Sequence, residues 1–253
     1  MIIDAVLNPA EIARLPERDL SSSACVVFDV LRATSSMTTG LAHGVTEIWP
    51  ARSIEEARTL KLGLLDALLG GERHGERIDG FQVGNSPFEY RELAGQRVIS
   101  TTTNGTIALR ACDGAPWVLV GAILNLDAVA AQIREQGFES LLLVCAGTGK
   151  ELALEDVWAA GRLIEILGGE PRLRDAAQTA LAVSRVHPNP LEALRISRNG
   201  RALMQKERGA EVEWCAQESY FKVVGAMREG AIRLLPPRGG EVMSALGAYG
   251  AVS

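Results

Sequence analysis

The chain has 253 residues, 47% hydrophobic and 23% charged, with a formal net charge of −5. That is apolar material enough for a full core; it excludes wholesale disorder and a general nucleic-acid binder, though not a local basic pocket. No apolar run approaches the ~20 residues of a membrane helix, and the start, Met1-Ile-Ile-Asp4, lacks the basic and apolar regions of a signal peptide.

Ile2 to Leu7 is the first strand candidate, and a polar segment with Pro16 and Ser21-Ser-Ser leads into the stretch around which the chain is organised. Cys25 to Val30 is apolar and β-branched, so it reads as a buried strand; Ser35 to Ala42, with Met37 and Leu41 four apart, reads as a packed helix. Glu47-Ile-Trp-Pro50 is a short strand. Ser53 and Glu56 make a capping-box pattern for a helix to about Leu64, and Ala67 to Gly70 suggests another strand. Gly70 to Pro87 reads as one polar, glycine-rich loop, long enough to suggest function. Strands follow at Arg97–Ser100, Trp117–Val120 and Ser140–Cys145. They alternate with helices at Ile107–Ala111, Asn125–Glu135 and Leu154–Leu167.

From Asp175 to Met204 the pattern is helical, broken near Val186-His-Pro-Asn-Pro190. Glu218 to Val224 suggests a final extended or helical element, and the tail beyond Leu234-Leu-Pro-Pro is expected to be irregular. Strands alternating with helices predict a three-layer α/β/α fold with a largely parallel sheet and the active site at the strands' C-terminal edge. The expected organisation is one domain over 1–253, or two packed lobes: a motif-bearing part to about 170 and a helical remainder. Four widely spaced cysteines, Cys25, Cys112, Cys145 and Cys215, suggest reduced thiols in a cytoplasmic protein, with no disulfide framework or zinc site. A homodimer is expected.

Four polar loops follow strand candidates and should gather at one sheet edge: Asp29–Thr34, Gly70–Pro87, Ser100–Thr106 and Ala146–Asp156. In the first, Asp29 is placed to hold a metal or attack phosphorus, with Arg32, Thr34 and Ser35 beside a helix N-terminus to bind an anion. The bland alternative is an aspartate capping the helix, with Arg32 as its surface partner. In the second, Glu72 beside Arg73 suggests a metal ligand beside a phosphate clamp, or a solvated turn. Asn85 and Asp79 are further polar groups there, and His74 is expected to be exposed. Thr101-Thr102-Thr103-Asn104-Gly105-Thr106 has the chemistry of an anion cradle, or of an ordinary helix cap. Gly147 and Thr148 follow the Cys145 strand as a weak phosphate loop without the Walker pattern, and Glu155-Asp156 opens the next helix. Cys145 itself reads as inert core.

Phe28-Asp-Val-Leu-Arg-Ala-Thr-Ser35, Gly70-Gly-Glu-Arg73, Gly80-Phe-Gln-Val-Gly-Asn-Ser-Pro-Phe-Glu-Tyr90, Thr101-Thr-Thr-Asn-Gly-Thr106 and Cys145-Ala-Gly-Thr148 with Leu154-Glu-Asp156 occur in one order. In this the chain resembles the 2-phosphosulfolactate phosphatase family over about residues 25–160. The resemblance implies Mg²⁺-dependent hydrolysis of 2-phospho-3-sulfolactate to 3-sulfolactate and phosphate, a reaction of coenzyme M biosynthesis. Residues and resemblance agree on Mg²⁺-assisted hydrolysis of a small anionic phosphate ester. Asp29, Glu72, Asp156 and Glu155 are the expected metal ligands. Asp29, Arg32 and Arg73 are the expected catalytic groups, and the Thr101–Thr106 run, Thr34, Ser35, Asn85, Gly147 and Thr148 the expected anion donors. A phospho-aspartate and a metal-held water remain equal alternatives at Asp29. The rival readings are a phosphatase for another phosphorylated hydroxy acid and a sulfonate- or phosphate-binding protein without turnover.

Overall fold

Period-two alternation along the central strands sends side chains to two separate cores. In the strand Ser23–Phe28, Ala24, Val26 and Phe28 enter one apolar cluster while Cys25 and Val27 enter another. In Ser140–Cys145, Leu141, Leu143 and Cys145 divide from Leu142 and Val144 in the same way. A strand buried on both faces must be apolar throughout, which is why these two are the least interrupted apolar runs in the chain.

The computed structural model describes residues 1–236. It begins with β1 (Ile2–Val6), α1 (Pro9–Ile12), β2 (Ser23–Phe28), α2 (Ala33–Ala42), β3 (Glu47–Pro50) and α3 (Ile54–Gly63). β4 (Leu68–Arg73), β5 (Glu76–Arg77), α4 (Pro87–Arg91), β6 (Arg97–Thr101), α5 (Gly105–Ala111) and β7 (Trp117–Gly121) follow. Then come α6 (Leu126–Gln136), β8 (Ser140–Cys145), α7 (Leu154–Leu167), β9 (Arg172–Leu173) and α8 (Asp175–Val186). The described chain ends with α9 (Pro190–Ile196), α10 (Arg198–Gln205), α11 (Gly209–Cys215), β10 (Gly225–Arg228) and β11 (Ala231–Leu234). One sheet runs β5-β4-β6-β3-β11-β10-β7-β2-β8-β1-β9. Most neighbours pair parallel; the antiparallel pairs are β4–β5, β7–β10, β10–β11 and β11–β3, so β3, β4 and β6 run opposite to β1, β2, β7 and β8. The larger core lies under α6, α7 and α8, the second under α2 and α5, and a small satellite under α3. The fold is therefore the expected three-layer α/β/α arrangement, and no helix among the described residues is long and apolar enough to cross a membrane.

The segment after residue 170 carries the helices α8 to α11 and then two strands not expected from the sequence: β10 and β11 form a hairpin inserted into the middle of the sheet, between β7 and β3. Its turn residues Glu229 and Gly230 both have positive φ, 52° and 79°, as a two-residue type I′ turn requires. Glu218 to Val224, by contrast, is irregular, held by Ser219 and Phe221 N–H groups on the Ile123 and Leu124 carbonyls. The Gly70–Pro87 loop is also shorter than expected. Its start is the end of β4, which turns at His74 and returns as β5. The expected irregular tail lies largely outside the described residues.

Candidate active site

The segments that follow β2, β4, β6 and β8 all meet α10 around a cleft of about 430 Å³. Yet β4 and β6 run opposite to β2 and β8, so the loops do not share one edge of a uniformly parallel sheet as expected. Asp29, Arg32, Glu72, His74, Asn85, Thr103, Asn104, Gly147 and Thr148 all line it.

These segments are bolted together by a closed ring of hydrogen bonds. Asp156 Oδ1 accepts from Val30 N at 2.8 Å and its Oδ2 from Gly147 N at 3.0 Å, joining the β2 and β8 loops. Asn104 donates from Nδ2 to the Ala146 and Gly149 carbonyls and accepts from Gly149 N on Oδ1, joining the β6 and β8 loops. Glu72 Oε1 accepts from both the amide and the hydroxyl of Thr103 at 2.8 Å, while its Oε2 accepts from Gly75 N at 2.7 Å. The Arg32 guanidinium closes the ring, donating to the Gly75 carbonyl at 3.1 Å and to Glu211 Oε2 at 2.5 Å. Such a ring fixes the cleft's shape before any ligand arrives.

Asp29 is 8% exposed. Its Oδ1 accepts from Ala33 N at 3.0 Å, in the first turn of α2, and the Gly105 amide also donates to the carboxylate. The helix-capping contact of the bland reading is thus present, yet Arg32 is no partner of Asp29. Burial, and the nearby charges of Glu72 and Glu155, push the Asp29 carboxyl up to about 7 against the pull of those amides. Gly105 is obligatory here, since a Cβ would sit 2.4 Å from Asp29 Oδ2.

Several predicted residues lie behind the cleft wall. Thr34 Oγ1 accepts from Asp29 N, and Ser35 donates to the Val30 carbonyl, so both hydroxyls shape the loop. Thr102 and Thr106 exchange amide-to-hydroxyl bonds of 3.0 and 3.1 Å with each other. Thr101 Oγ1 accepts from Arg73, whose guanidinium also binds the Thr101 and Glu72 carbonyls; Arg73 does not line the cleft. Glu155 and Asp156 are buried beneath it, and burial raises both, Asp156 further through the charges of Glu155 and Asp29. Glu155 Oε1 accepts from Asn199 at 2.6 Å, but its Oε2 makes no hydrogen bond among the described residues. Asp79 is exposed and away from the cleft, as His74 is exposed at its rim. Cys145 is fully buried in the core, with a thiol pushed well up by burial.

Sequence reasoning missed the α10 wall, Arg198, Asn199, Ala202, Leu203 and Lys206, and missed Glu211, the partner of Arg32. One signal was there: Ser197 caps α10 by accepting from Gly200 N, so Ser197-Arg-Asn-Gly200 marked a helix start dense in polar groups.

The donor chemistry suits a small, hard cation. Asp29 and Glu72 offer carboxylate oxygens to one cleft, Glu155 Oε2 is buried and unsatisfied nearby, and Arg32 is already neutralised by Glu211. Among the described residues no group of three or more His, Cys, Asp or Glu side chains is arranged to hold an ion. Mg²⁺ commonly needs only one or two protein carboxylates and keeps its waters.

Residues 11–230 match the family model described as 2-phosphosulpholactate phosphatase. A Carboxydothermus hydrogenoformans protein is 36% identical over 236 residues, 92% of this chain and 96% of that one. A Deinococcus radiodurans protein is 40% identical over 81% of this chain and 88% of its own length. A Thermus thermophilus protein is 38% identical over 80% and 87%. All three carry the name probable 2-phosphosulfolactate phosphatase.

Proposed function

The chain belongs to the 2-phosphosulpholactate phosphatase family, and from that premise we propose that its cleft hydrolyses 2-phospho-3-sulfolactate to 3-sulfolactate and phosphate with the aid of Mg²⁺. The observation that carries the reading is the pairing of Asp29 and Glu72 on one cleft, where the sequence motifs of the family converge. In this reading Asp29 and Glu72 hold the ion, which when bound supplies Lewis-acid charge to the phosphoryl oxygens.

The protein's own groups do the rest. Burial raises the Asp29 carboxyl to about 7, and a cation bound beside it would favour its charged form. The amides of Ala33, on Oδ1, and of Gly105 hold its carboxylate in place. Glu72 is held by Thr103 and Gly75, and Asn85, Thr103 and Thr148 present neutral polar groups to an entering ester. A cytoplasmic location in coenzyme M-type metabolism is part of the same reading, supported by four buried, unpaired cysteines.

The test measures phosphate release from 2-phospho-3-sulfolactate with Mg²⁺ and with a chelator, in wild type and in Asp29→Asn. Release should require Mg²⁺ and fall by roughly a thousandfold in the variant, since metal-borne charge stabilisation is worth several kcal/mol. Undiminished release from the variant, or in chelator, overturns the reading. A panel of other phosphorylated hydroxy acids tests the rival substrate class.

A further inference from the structure

Three Arg or Lys side chains line the cleft among the described residues: Arg32, Arg198 and Lys206. Arg32 is committed, buried against Glu211 and tied to Gly75. The other two are held differently. Arg198 Nη1 meets Glu151 Oε2 at 2.6 Å with side chains 62% and 72% exposed, and Lys206 Nζ meets Glu76 Oε1 at 2.6 Å with 44% and 60% exposed. Exposed pairs of this kind contribute little and exchange readily with an arriving anion.

Both cations belong to one wall. Asn199, Ala202, Leu203 and Lys206 recur at i, i+3, i+4 and i+7, so a single stripe of α10 faces the cleft, with the small Ala202 leaving room at its centre. Beside it, Thr148 Oγ1 accepts from Asn199 Nδ2 at 2.6 Å, which leaves the hydroxyl proton free to donate. The cleft thus has an acidic side at Asp29 and Glu72 and a cationic side on α10.

We propose that Arg198 and Lys206 recognise the sulfonate of the substrate and so set the enzyme's preference for a sulfonated ester; this rests on the hydrolysis reading above. In 2-phospho-3-sulfolactate the carboxylate is attached to the carbon bearing the phosphate ester, and the sulfonate stands one carbon further out. The sulfonate is thus the group that can extend farthest from the ester, and an ester held at Asp29 and Glu72 would leave it free to reach the α10 wall of the same cleft. It stays ionised at every physiological pH and spreads its charge over three tetrahedral oxygens. That shape suits separate donors from several directions better than one planar fork.

The test compares kcat/KM for 2-phospho-3-sulfolactate and for 2-phospholactate, which lacks the sulfonate. It uses wild type, the double variant Arg198→Met with Lys206→Met, and the charge-keeping double variant Arg198→Lys with Lys206→Arg. The ratio of sulfonated to unsulfonated ester should fall by about tenfold or more in the Met pair, mainly through KM, and recover with the charges restored. An unchanged ratio, with both esters losing equally, overturns the sulfonate assignment while leaving hydrolysis standing. If wild type releases phosphate from neither ester, the hydrolysis reading fails and calorimetry with 3-sulfolactate decides. Weaker binding in the Met pair than in wild type supports the wall; equal binding, or none in wild type, overturns it.

Discussion

Asp156 accepts a 2.8 Å hydrogen bond from the backbone N–H of Val30, 126 positions earlier in the chain, and its second oxygen takes the Gly147 N–H. One buried carboxylate therefore sets the spacing of the two loops that frame Asp29. With both oxygens on backbone donors, Asp156 acts as a positioning group beneath the cleft. Asp156→Ala should leave two buried amides unpaired at ~1–3 kcal/mol each, partly offset by removal of a buried charge. The expected net effect is a loss of about 1–3 kcal/mol by urea unfolding together with a fall in kcat. Asp156→Asn, which restores one acceptor, should recover part of both. An alanine variant as stable and active as wild type would show that the loops hold without this link.

Arg32→Lys tests the other end of the ring. The guanidinium spans Glu211 Oε2 and the Gly75 carbonyl, and Gly75 in turn donates to Glu72. Lysine keeps the charge and can stay on Glu211, but one ammonium cannot reproduce the planar span. Activity should fall by about tenfold or more, because a small misplacement of Glu72 is costly to the reaction. Glu211→Gln should reproduce much of that loss. Wild-type kcat/KM in both variants would reduce the pair to a structural tie.

How much of this was legible beforehand depended on range. Continuous apolar, β-branched runs such as Cys25–Val30 and helices such as Leu154–Leu167 are local patterns, and each appears close to the expected residues. The β10–β11 hairpin was not legible, because two four-residue strands carry little periodicity and their partners, β7 and β3, lie far back in the chain. The acids of the cleft were found because Asp29 and Glu72 each stand at or just after the end of a strand, where the chain turns into a polar loop. The role of each threonine in 101–106 was not, since whether a hydroxyl faces a ligand or a neighbour depends on the fold: Thr102 and Thr106 bond each other. Glu211 could not be named either, standing 179 positions from Arg32 with nothing nearby in sequence to link them.

Gly105→Ala isolates the placement of Asp29 from its chemistry. The added methyl carbon would lie 2.4 Å from Asp29 Oδ2 and 2.7 Å from Ala33 Cβ, so the carboxylate must move. Overpacking of this kind costs about 1–3 kcal/mol of stability. The activity loss should be larger, about a hundredfold, because displacing a reacting group by an ångström has that scale of effect. Thermal unfolding beside kcat on one substrate separates the two. A variant that loses stability but keeps its kcat would place the reacting atoms away from Asp29.

The last expectation concerns the inserted hairpin, whose strand β11 pairs with β3 at a single register position, Ile232 with Ile48. Side chains reinforce that short contact: Arg233 donates to Glu47 Oε1 at 2.9 Å from Nε, and Trp49 Nε1 donates to Oε2 at 3.0 Å. Burial pushes the Glu47 carboxyl up, but Arg233, Trp49 and Arg97 outweigh it and hold it below its ordinary value of 4.5. A carboxylate depressed on folding stabilises the fold above its unfolded-state value, and that contribution is lost as pH falls through the lower, folded value. Glu47→Gln should therefore be less stable than wild type at about pH 7, and the gap should close as the pH falls below the carboxyl's ordinary value and Glu47 protonates, both proteins then presenting an uncharged group to Arg233. Urea midpoints measured across that range give the answer. A gap that stays constant with pH would mean that the hydrogen bonds, and not the charge, tie the hairpin to β3.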